Sequence, residues 1–276
     1  MNVFQDKVCV ITGAASGMGR SLSVELARRG AKLAISDVNS LGLAETERQC
    51  QAIGAQVKTD ALDMAERGAV LEYADAVAAH FGAVHYVFNN AGIATVGTTE
   101  QSSFKDFEKI MDVNFWGVVN GTKAFLPHLI ASGGHVVNTS SVFGLFSAPG
   151  FAAYNSSKFA VRGFTEALRM EMLATGNRVS VTSVHPGGIK TDIARNMTHV
   201  SSGEVEPFVK MFDRITYTSA DQAAKVILRG AAKRKPKVLI GPDAHAFDLL
   251  VRLTGSGYQR ITSWVVKRLM PDAVKG

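Results

Sequence analysis

Tyr154 and Lys158 are two residues whose types and spacing could perform acid–base chemistry. They stand four positions apart in the sequence, and on a helix this spacing places both side chains on one face, about 5–6 Å apart at Cβ. A phenol, with a pKa of about 10, is a poor proton shuttle at neutral pH. A neighbouring ammonium favours the phenolate and lowers that pKa. The pair is therefore a candidate acid–base catalyst, although a half-buried ring beside a solvated amine would give the same pattern.

A glycine-rich turn is a second candidate, and the chemistry it suits is phosphate binding. Residues 12–19 read TGAASGMG, and they lie between an apolar strand-like run and a helical run over residues 20–29. Glycines at such a turn let the backbone approach a pyrophosphate, which then lies at the positive end of the helix. The same glycines could simply close a tight turn. With a strand before it and a helix after it, the segment predicts a dinucleotide site.

Asp37 closes the second predicted strand, eighteen residues after Gly19. A carboxylate there can accept hydrogen bonds from the adenosine ribose and would repel a 2′-phosphate, so it predicts NAD rather than NADP. The next residue is Val38 and position 16 is a serine, so no basic side chain is at hand to neutralise such a phosphate. Asp37 could instead cap a surface helix. Asp60, after the third predicted strand, could meet the adenine amino group or cap a loop.

The elements that must position these residues follow an alternating pattern of strand-like and amphipathic helical runs. Predicted strands cover residues 7–12, 32–36, 56–59, 85–88, 135–139, 179–184 and 237–240. Parallel strands need crossover connections, and helices supply them on both faces of the sheet. We therefore predict an α/β fold with one Rossmann-like, doubly wound parallel sheet of about seven strands. The long connection over residues 189–219 predicts a substrate lid.

The composition fits an ordinary soluble globular protein. The chain has 276 residues, of which 46% are hydrophobic and 20% charged, and we expect a single dinucleotide-binding and catalytic domain over residues 1–276. We see no signal peptide and no apolar run of about 18 residues. Cys9 and Cys50 lack metal-ligand spacing, so we expect buried free thiols, no metal site and a cytoplasmic location.

The net charge is unevenly distributed. Residues 190–276 contain 15 Lys and Arg against 8 Asp and Glu, whereas residues 1–189 contain 15 against 16. The basic run over residues 233–237 could suit nucleic acid or an anionic surface. We predict no nucleic-acid binding, because a basic helix end before a proline is also what helix-dipole complementarity favours.

Six motifs in matching order and spacing give the chain a family resemblance. They are the TGxxxGxG turn at residues 12–19, NNAG at residues 89–92, the Asn in MDVN at residues 111–114, the serine pair at residues 140–141, YxxxK at residues 154–158 and Pro186-Gly187. The chain resembles the cytosolic type of short-chain dehydrogenase/reductase, whose members have about 250 residues. This chain would carry a C-terminal extension in addition. The match runs from Thr12 to Thr191.

The resemblance implies a role for each of four residues. Tyr154 would be the general acid/base, and Lys158 would lower its pKa and hold the nicotinamide ribose. Ser141, rather than its neighbour Ser140, would align the substrate oxygen. Asn114 would hold a water that links Lys158 to solvent. The implied reaction is hydride transfer between NAD(H) and the substrate, which interconverts a secondary alcohol and a ketone (or an aldehyde and its primary alcohol), in a homodimer or homotetramer.

The resemblance also implies a set of contacts to NAD(H). They are Gly13, Ser16, Gly17, Met18, Gly19, Asp37, Asp60, Ala61, Asn90, Ala91, Gly92, Tyr154, Lys158, Pro186, Gly187, Ile189 and Thr191. The substrate side is expected to be apolar, with contacts from Phe143, Phe151, Ile193 and Met197, although such residues could instead be core. A pocket of this kind favours a bulky hydrophobic alcohol or ketone, such as a steroid, retinoid, fatty or aryl carbonyl.

The C-terminal extension, residues 241–276, has two apolar helical faces and basic residues on its other sides. The first face has Phe247, Leu250 and Val251, and the second has Tyr258, Ile261, Val265 and Leu269 with Trp264 beside it. Such a segment can pack on a partner subunit, cover the substrate cleft or lie on an anionic membrane. Two alternatives to a cytosolic enzyme remain. The extension leaves open a membrane-surface retinoid, steroid or lipid dehydrogenase. The second alternative is a regulator that binds a dinucleotide and has no catalytic activity.

Overall fold

A seven-stranded parallel sheet forms the centre of the computed structural model, which describes residues 2–191, 193, 198–199 and 216–269. The strands of the described chain are β1 (Val8–Thr12), β2 (Lys32–Asp37), β3 (Val57–Ala61), β4 (Tyr86–Asn89), β5 (Thr95–Val96), β6 (His135–Thr139), β7 (Ser180–Pro186), β8 (Ile189–Lys190), β9 (Thr198–His199), β10 (Thr218–Ser219) and β11 (Lys237–Ile240). The central sheet has the order β11-β7-β6-β4-β1-β2-β3. Its strand order reverses between β1 and β4, so a topological switch point lies there.

Helices cover both faces of this sheet. The α-helices of the described chain are α1 (Gly17–Arg28), α2 (Ser40–Gln51), α3 (Arg67–Phe81), α4 (Phe104–Met111), α5 (Gly117–Ser132), α6 (Ala152–Ala174), α7 (Ala220–Ala232), α8 (Pro242–Thr254) and α9 (Tyr258–Leu269). Helices α1 and α7 pack together on one face, and α3, α5 and α6 lie on the other. The prediction of a Rossmann-like, doubly wound sheet of seven strands is confirmed.

Strand β1 shows why the sheet has two cores. Its sequence VCVIT is apolar up to Thr12 and every residue is buried, as expected for a central parallel strand. Successive side chains of a strand point to opposite faces. Cys9 and Ile11 accordingly pack with α1 and α7, whereas Val8 and Val10 pack with α3 and α5. Because β1 lies within the sheet, its carboxyl end is held on both sides, and the glycine turn begins there.

The predicted strand boundaries agree with the observed ones to within two residues, but the predicted lid can be followed only in part. Most of residues 189–219 lies outside the described residues. Its described pieces form two small parallel pairs, β8 with β10 and β9 with β5. None of the helices in the described chain is long and apolar enough to cross a membrane.

Candidate active site

The turn after β1 has the backbone that a close approach of phosphate requires. Gly13 and Gly17 have φ angles of +67° and +50°, in the left-handed region that glycine tolerates. A Cβ on Gly13 would lie 2.7 Å from the Cα of Ala91, and a Cβ on Gly19 would clash with the carbonyl of Gly13. Helix α1 starts at Gly17, so its free N–H groups face the turn.

Asp37 holds this turn in place. Its carboxylate accepts hydrogen bonds from the backbone N–H of Ala15 and of Asn39, each at 2.9 Å. The side chain of Asn39 in turn caps α2 by accepting from Gly42 N–H. The cap of α2 is therefore Asn39, and Asp37 lies at the end of β2 beside the glycine turn, as the predicted ribose contact requires.

Asp60 and Ala61 close β3, next to the end of β2. Ala61 pairs in register with Asp37. Both carboxylate oxygens of Asp60 accept from Lys58 Nζ, at 2.5 and 2.6 Å. An adenine contact from Asp60 stays a prediction, and it would have to compete with this lysine.

The residues after β4 bind the same turn from the other side. Thr12 Oγ1 accepts from the N–H groups of Asn90 and Ala91, both at 3.1 Å, and Asn90 Nδ2 donates to the carbonyl of Thr12. Asn90 Oδ1 is buried and has no hydrogen-bond partner within the described part of the chain. A Cβ on Gly92 would lie 3.3 Å from Lys158 Nζ and 3.1 Å from Asn114 Oδ1. Gly92 thus lies between the segment that contacts the glycine turn and the side chains of Lys158 and Asn114.

Tyr154 and Ser141 meet as the sequence predicts. Tyr154 lies in the first turn of α6 and Ser141 follows β6, and both side chains line the same cavity. Burial raises the pKa of Tyr154, and the nearby Ser141 hydroxyl opposes this rise. The expectation of a lowered phenol pKa is not met here, because the effect of burial is the larger one; Lys158 Nζ lies 5.6 Å from the centre of the ring.

Lys158 is an almost fully buried cation. Its side chain is on the same face of α6 as Tyr154, and Nζ donates to the carbonyl of Thr139 at 3.1 Å. Burial lowers its pKa from 10.5 to about 8, because the ammonium has lost its water. Ser140 points away from the tyrosine and donates to the backbone carbonyl of Lys158 at 2.7 Å.

Asn114 lies in a single π-helical turn, Asp112–Trp116, between α4 and α5. Its amide accepts from Ile93 N–H at 2.8 Å and donates to the carbonyl of Ile93 at 2.9 Å. It also donates to Ser157 Oγ at 3.1 Å, and Ser157 donates to the backbone carbonyl of Tyr154. The sequence analysis missed both the π-turn and Ser157. A serine one residue before Lys158 was the available signal.

The turn after β7 is held by the C-terminal part of the chain. Gly187 N–H donates to the carbonyl of Ile240 at 2.9 Å. Gly188 N–H donates to Asp243 Oδ2 at 2.6 Å. A Cβ on Gly187 would overlap the carboxylate of Asp243. Asp243 therefore packs directly on the turn, and sequence reasoning did not single it out.

The residues that follow this turn reach back to the glycine turn. Ile189 begins β8 and pairs with Thr218. The methyl of Thr191 lies 3.1 Å from where a Cβ on Gly17 would be. Met18, Pro186, Gly187, Ile189 and Thr191 all line one cavity with Tyr154 and Lys158. The predicted nicotinamide-side residues are thus brought together with the acid–base pair.

His185, the penultimate residue of β7, is a second residue that the sequence analysis missed. Its Nδ1 lies 2.9 Å from the carbonyl of Ser141, and its Nε2 lies 2.9 Å from Ser183 Oγ. Burial lowers the pKa of His185 to about 4, so the ring is neutral near pH 7. Neutral imidazole carries one N–H, and donation to the Ser141 carbonyl fixes the backbone that presents the serine hydroxyl.

The cavity beside Tyr154 has a volume of about 430 Å³ and a mostly apolar lining. Phe143, Phe151 and Ile193 line it as predicted, whereas Met197 lies outside the described residues. The C-terminal helices α8 and α9 contribute a further wall, made of Phe247, Leu250, Ile261, Thr262, Val265 and Val266. Of the three roles weighed for the extension, the geometry therefore favours covering the cleft.

Two contacts bind these C-terminal helices to the loop that follows Ser141. The ring of Phe146 stacks on that of Phe247, with centroids 4.2 Å apart. Tyr258 OH accepts from Ser147 N–H at 3.1 Å. Phe146 and Tyr258 are both buried in this small apolar cluster. The cavity wall is therefore anchored to the loop that carries the catalytic candidate Ser141.

Fold and site together define a doubly wound α/β protein with a glycine-rich turn and the Tyr154–Lys158 pair beside one cavity. The family model for short chain dehydrogenases matches residues 7–201. A Mycobacterium tuberculosis protein that bears the name "Putative oxidoreductase SadH" is 58% identical, with 99% of this chain and 100% of the relative covered. This chain belongs to the short-chain dehydrogenase/reductase family and is an oxidoreductase.

Two further proteins extend the comparison. Cyclohexanol dehydrogenase from an Acinetobacter strain is 32% identical, with 76% of this chain and 84% of that protein covered. A Burkholderia phymatum short-chain dehydrogenase/reductase, solved in complex with NAD, is 32% identical and superimposes with a TM-score of 0.84 over 94% of this chain and 96% of that one.

Proposed function

We propose that this protein interconverts a secondary alcohol and a ketone (or an aldehyde and its primary alcohol) by NAD(H)-dependent hydride transfer, with a bulky hydrophobic substrate. The observation that carries the proposal is that Ser141, Tyr154 and Lys158 line one apolar cavity, with Lys158 Nζ 5.6 Å from the centre of the Tyr154 ring. The phenol of Tyr154, the ammonium of Lys158 and the apolar lining of the cavity thus lie together beside the glycine turn. A non-catalytic nucleotide-binding protein would have no need of this arrangement.

The residues present fit a dinucleotide. The glycine turn and the N-terminus of α1 suit the pyrophosphate. Asp37 suits an unphosphorylated adenosine ribose and disfavours NADP. Asn90 Oδ1, buried without a partner among the described residues, offers an acceptor near the turn. Lys158 and the segment from Pro186 to Thr191 would hold the nicotinamide end. The NAD bound by the Burkholderia relative supports the same choice. When bound, the cofactor supplies or accepts the hydride.

Proton transfer is then the work of this chain's own residues. In the reductive direction Tyr154 gives its proton to the carbonyl oxygen, and in the oxidative direction the phenolate takes the proton of the alcohol. Ser141 aligns that oxygen. The raised pKa of Tyr154 keeps the phenol protonated at neutral pH, and the ammonium of Lys158 stabilises the phenolate once the proton has left.

We assign to Asn114 the water that connects Lys158 with solvent. Asn114 Oδ1 and Lys158 Nζ both border the place where a Cβ on Gly92 would be, so they lie on the same side of that backbone. The bond from Asn114 to Ser157 also fixes the first turn of α6, which carries Tyr154. Asn114 therefore has two proposed roles: it binds the water through which protons pass between Lys158 and solvent, and it helps to fix the position of Tyr154.

The apolar cavity supports the substrate class. Its wall contains Phe143, Phe151 and the side chains of α8 and α9, which offer little to a sugar or a charged acid. The name of the cyclohexanol dehydrogenase relative agrees with a cyclic, apolar alcohol.

We propose a single catalytic domain with a lid over residues 189–219 and a C-terminal cavity wall, acting in the cytoplasm as a homodimer or homotetramer. Exposed apolar residues on α4 to α6, including Phe104 and Phe159, offer a surface for that assembly.

A turnover panel tests the proposal. Purified protein is given cyclic, aryl, steroid and fatty ketones and, separately, small polyols with the oxidised cofactor, and the absorbance of reduced nicotinamide is followed. We expect NADH to be preferred over NADPH and apolar ketones to react faster than their small polar counterparts. A clear preference for NADPH would contradict the role of Asp37, and faster turnover of polyols would contradict the substrate class.

Asp243 gives a prediction about the nicotinamide-side turn. Replacing Asp243 by alanine removes the acceptor of Gly188 N–H, and a hydrogen bond to a charged group contributes about 1.5–3 kcal/mol. We expect faster amide hydrogen exchange at residues 187–189 in the protein without cofactor, and at least about a tenfold higher Kd for NADH. Exchange by mass spectrometry and NADH fluorescence titration measure the two effects.

Asp248 provides the matched control on the same helix. It accepts from Lys237 at 2.5 Å and from Arg252 at 3.1 Å, away from the turn. Asp248→Ala should lower stability without changing the Kd for NADH, and Asp243→Asn, which keeps an acceptor oxygen, should lie between wild type and Asp243→Ala. Equal losses in Asp243→Ala and Asp248→Ala would show that Asp243 has only a general structural role.

A further inference from the structure

The outer face of α8 and α9 carries an unusual amount of exposed apolar surface. We call it the C-terminal surface and define it by Leu249, Leu253, Ile261 and Trp264, whose exposed fractions are 57%, 75%, 47% and 63%. Leu249 and Leu253 lie one helical turn apart on α8, and Ile261 and Trp264 lie one turn apart on α9. A cluster of large exposed apolar side chains marks an interaction site more often than an ordinary solvated face.

Positive charge surrounds this apolar surface. Residues 249–268 contain Arg252, Arg260, Lys267 and Arg268 and no Asp or Glu. Within the described part of the chain, Arg260 and Lys267 form no ion pair, and the guanidinium of Arg268 lies 5.6 Å from the centre of the Trp264 ring. A tryptophan flanked by basic side chains suits the boundary between headgroups and acyl chains, because it has an apolar body and a polar edge.

We propose that the C-terminal surface binds an anionic lipid bilayer, so that the cavity opens toward the membrane from which the apolar substrate comes. The charge of the surface decides against a second copy of this chain as its occupant, because two-fold pairing would bring together six cations, Arg260, Lys267 and Arg268 of each copy, that form no ion pair within the described part of the chain; Arg252 is paired with Asp248. Anionic headgroups complement these three cations, and the apolar side chains enter the boundary region below them.

The cavity connects with this surface at Ile261. Ile261 lines the cavity and is nevertheless about half exposed, so it lies at the rim. Its neighbours on α9, Thr262, Val265 and Val266, continue into the cavity wall. Delivery of a bilayer-dissolved alcohol or ketone through this rim rests on the proposed function, whereas binding of the surface to lipid does not.

Vesicle sedimentation with the full-length protein tests the binding. Vesicles of phosphatidylcholine alone are compared with vesicles that contain phosphatidylglycerol. We expect binding to the anionic vesicles, at least about tenfold weaker after Lys267→Glu with Arg268→Glu, or after Trp264→Ser. The matched controls are Lys233→Glu with Lys235→Glu, in the other basic run, and Leu71→Ser, at an exposed leucine of α3. Both controls should bind within about twofold of wild type.

Tryptophan emission gives a second measurement. The chain has two tryptophans, so Trp116→Phe leaves Trp264 as the sole reporter, and its emission should shift to shorter wavelength when anionic vesicles are added. Absence of binding, equal binding to neutral vesicles, or equal loss in the Lys233 and Lys235 control would overturn the inference. So would a fall in oligomeric state caused by Trp264→Ser, which would show that a second copy covers the surface.

Activity on a water-soluble ketone without vesicles separates the two proposals. An active enzyme that ignores vesicles would overturn the membrane inference alone. A protein that binds anionic vesicles but turns over no carbonyl compound would overturn the proposed function and substrate delivery, while the binding of the surface to lipid would stand.

Discussion

Replacement of Tyr154 by phenylalanine is expected to lower kcat for ketone reduction by about 10²–10⁴-fold, the range that a positioned general acid contributes. The substitution removes the hydroxyl and leaves the ring, which packs edge-on against Phe143 with centroids 6.0 Å apart. The fold and the glycine turn should therefore be unaffected. Steady-state kinetics with NADH and a cyclic ketone give kcat, and fluorescence titration gives the Kd for NADH, which should change little.

Tyr217 supplies the matched control for this substitution. It is 75% exposed, so Tyr217→Phe removes the same hydroxyl from a site outside the cavity. Its kcat should equal that of wild type. Full activity in Tyr154→Phe would contradict the assignment of the general acid, and a large loss in both variants would indicate damage unrelated to proton transfer.

Replacement of Lys158 by methionine is expected to change activity and stability in opposite directions. Loss of the cation that stabilises the phenolate should lower kcat by at least about 10²-fold. Burial holds the pKa of Lys158 at about 8, so the folded state carries a cost for the charged ammonium. An apolar side chain of similar length removes that cost, and the free energy of unfolding should rise by about 1–2 kcal/mol at neutral pH.

The pH dependence of this stability gain has a definite sign. Below pH 8 the ammonium is charged in both states, so its burial cost is fully present. Between pH 8 and 10.5 the folded wild type releases a proton that the unfolded chain keeps, so wild-type stability rises with pH and the gain from methionine shrinks. Urea unfolding of both proteins below pH 8 and near pH 10.5 measures this. A gain that grows with pH would contradict the account.

Lys58 is the control for the stability measurement. Its ammonium is partly exposed and paired with Asp60 at 2.5 Å, so Lys58→Met removes a satisfied charge. We expect no stability gain at neutral pH from that variant. Equal gains from Lys58→Met and Lys158→Met would show that added apolar surface, rather than removal of a buried charge, is responsible.

The sequence was sufficient for the sheet and for the pattern of the site. Each of the seven central strands was found to within two residues, because their apolar runs are short and bounded by glycine, proline or polar residues. The spacing between Tyr154 and Lys158 placed both on one helix face, and the order of strand, glycine turn and helix located the turn. Both patterns involve residues that are close together in the sequence, so they can be recognised without coordinates.

What the sequence missed depends on contacts between distant segments. Asp243 lies 55 positions after Gly188, to which it binds, and His185 lies 44 positions after Ser141. Neither has a spacing that periodicity could detect. The upward direction of the Tyr154 pKa was also missed, because it depends on burial and on the placement of Lys158 over the ring. The engagement of Asp60 by Lys58 likewise required coordinates.

The bond between Tyr258 and Ser147, 111 positions apart, has a consequence for the order of synthesis. The ribosome makes the chain from its N-terminus, so the glycine turn, Ser141 and Tyr154 all emerge and can begin to fold before Tyr258 exists. The loop that carries Ser141 gains its last support, and the cavity its last wall, only when α9 arrives. A nascent chain thus carries its glycine turn, Ser141 and Tyr154 before it has a closed pocket, and the pocket is completed only when the C-terminal helices have been made.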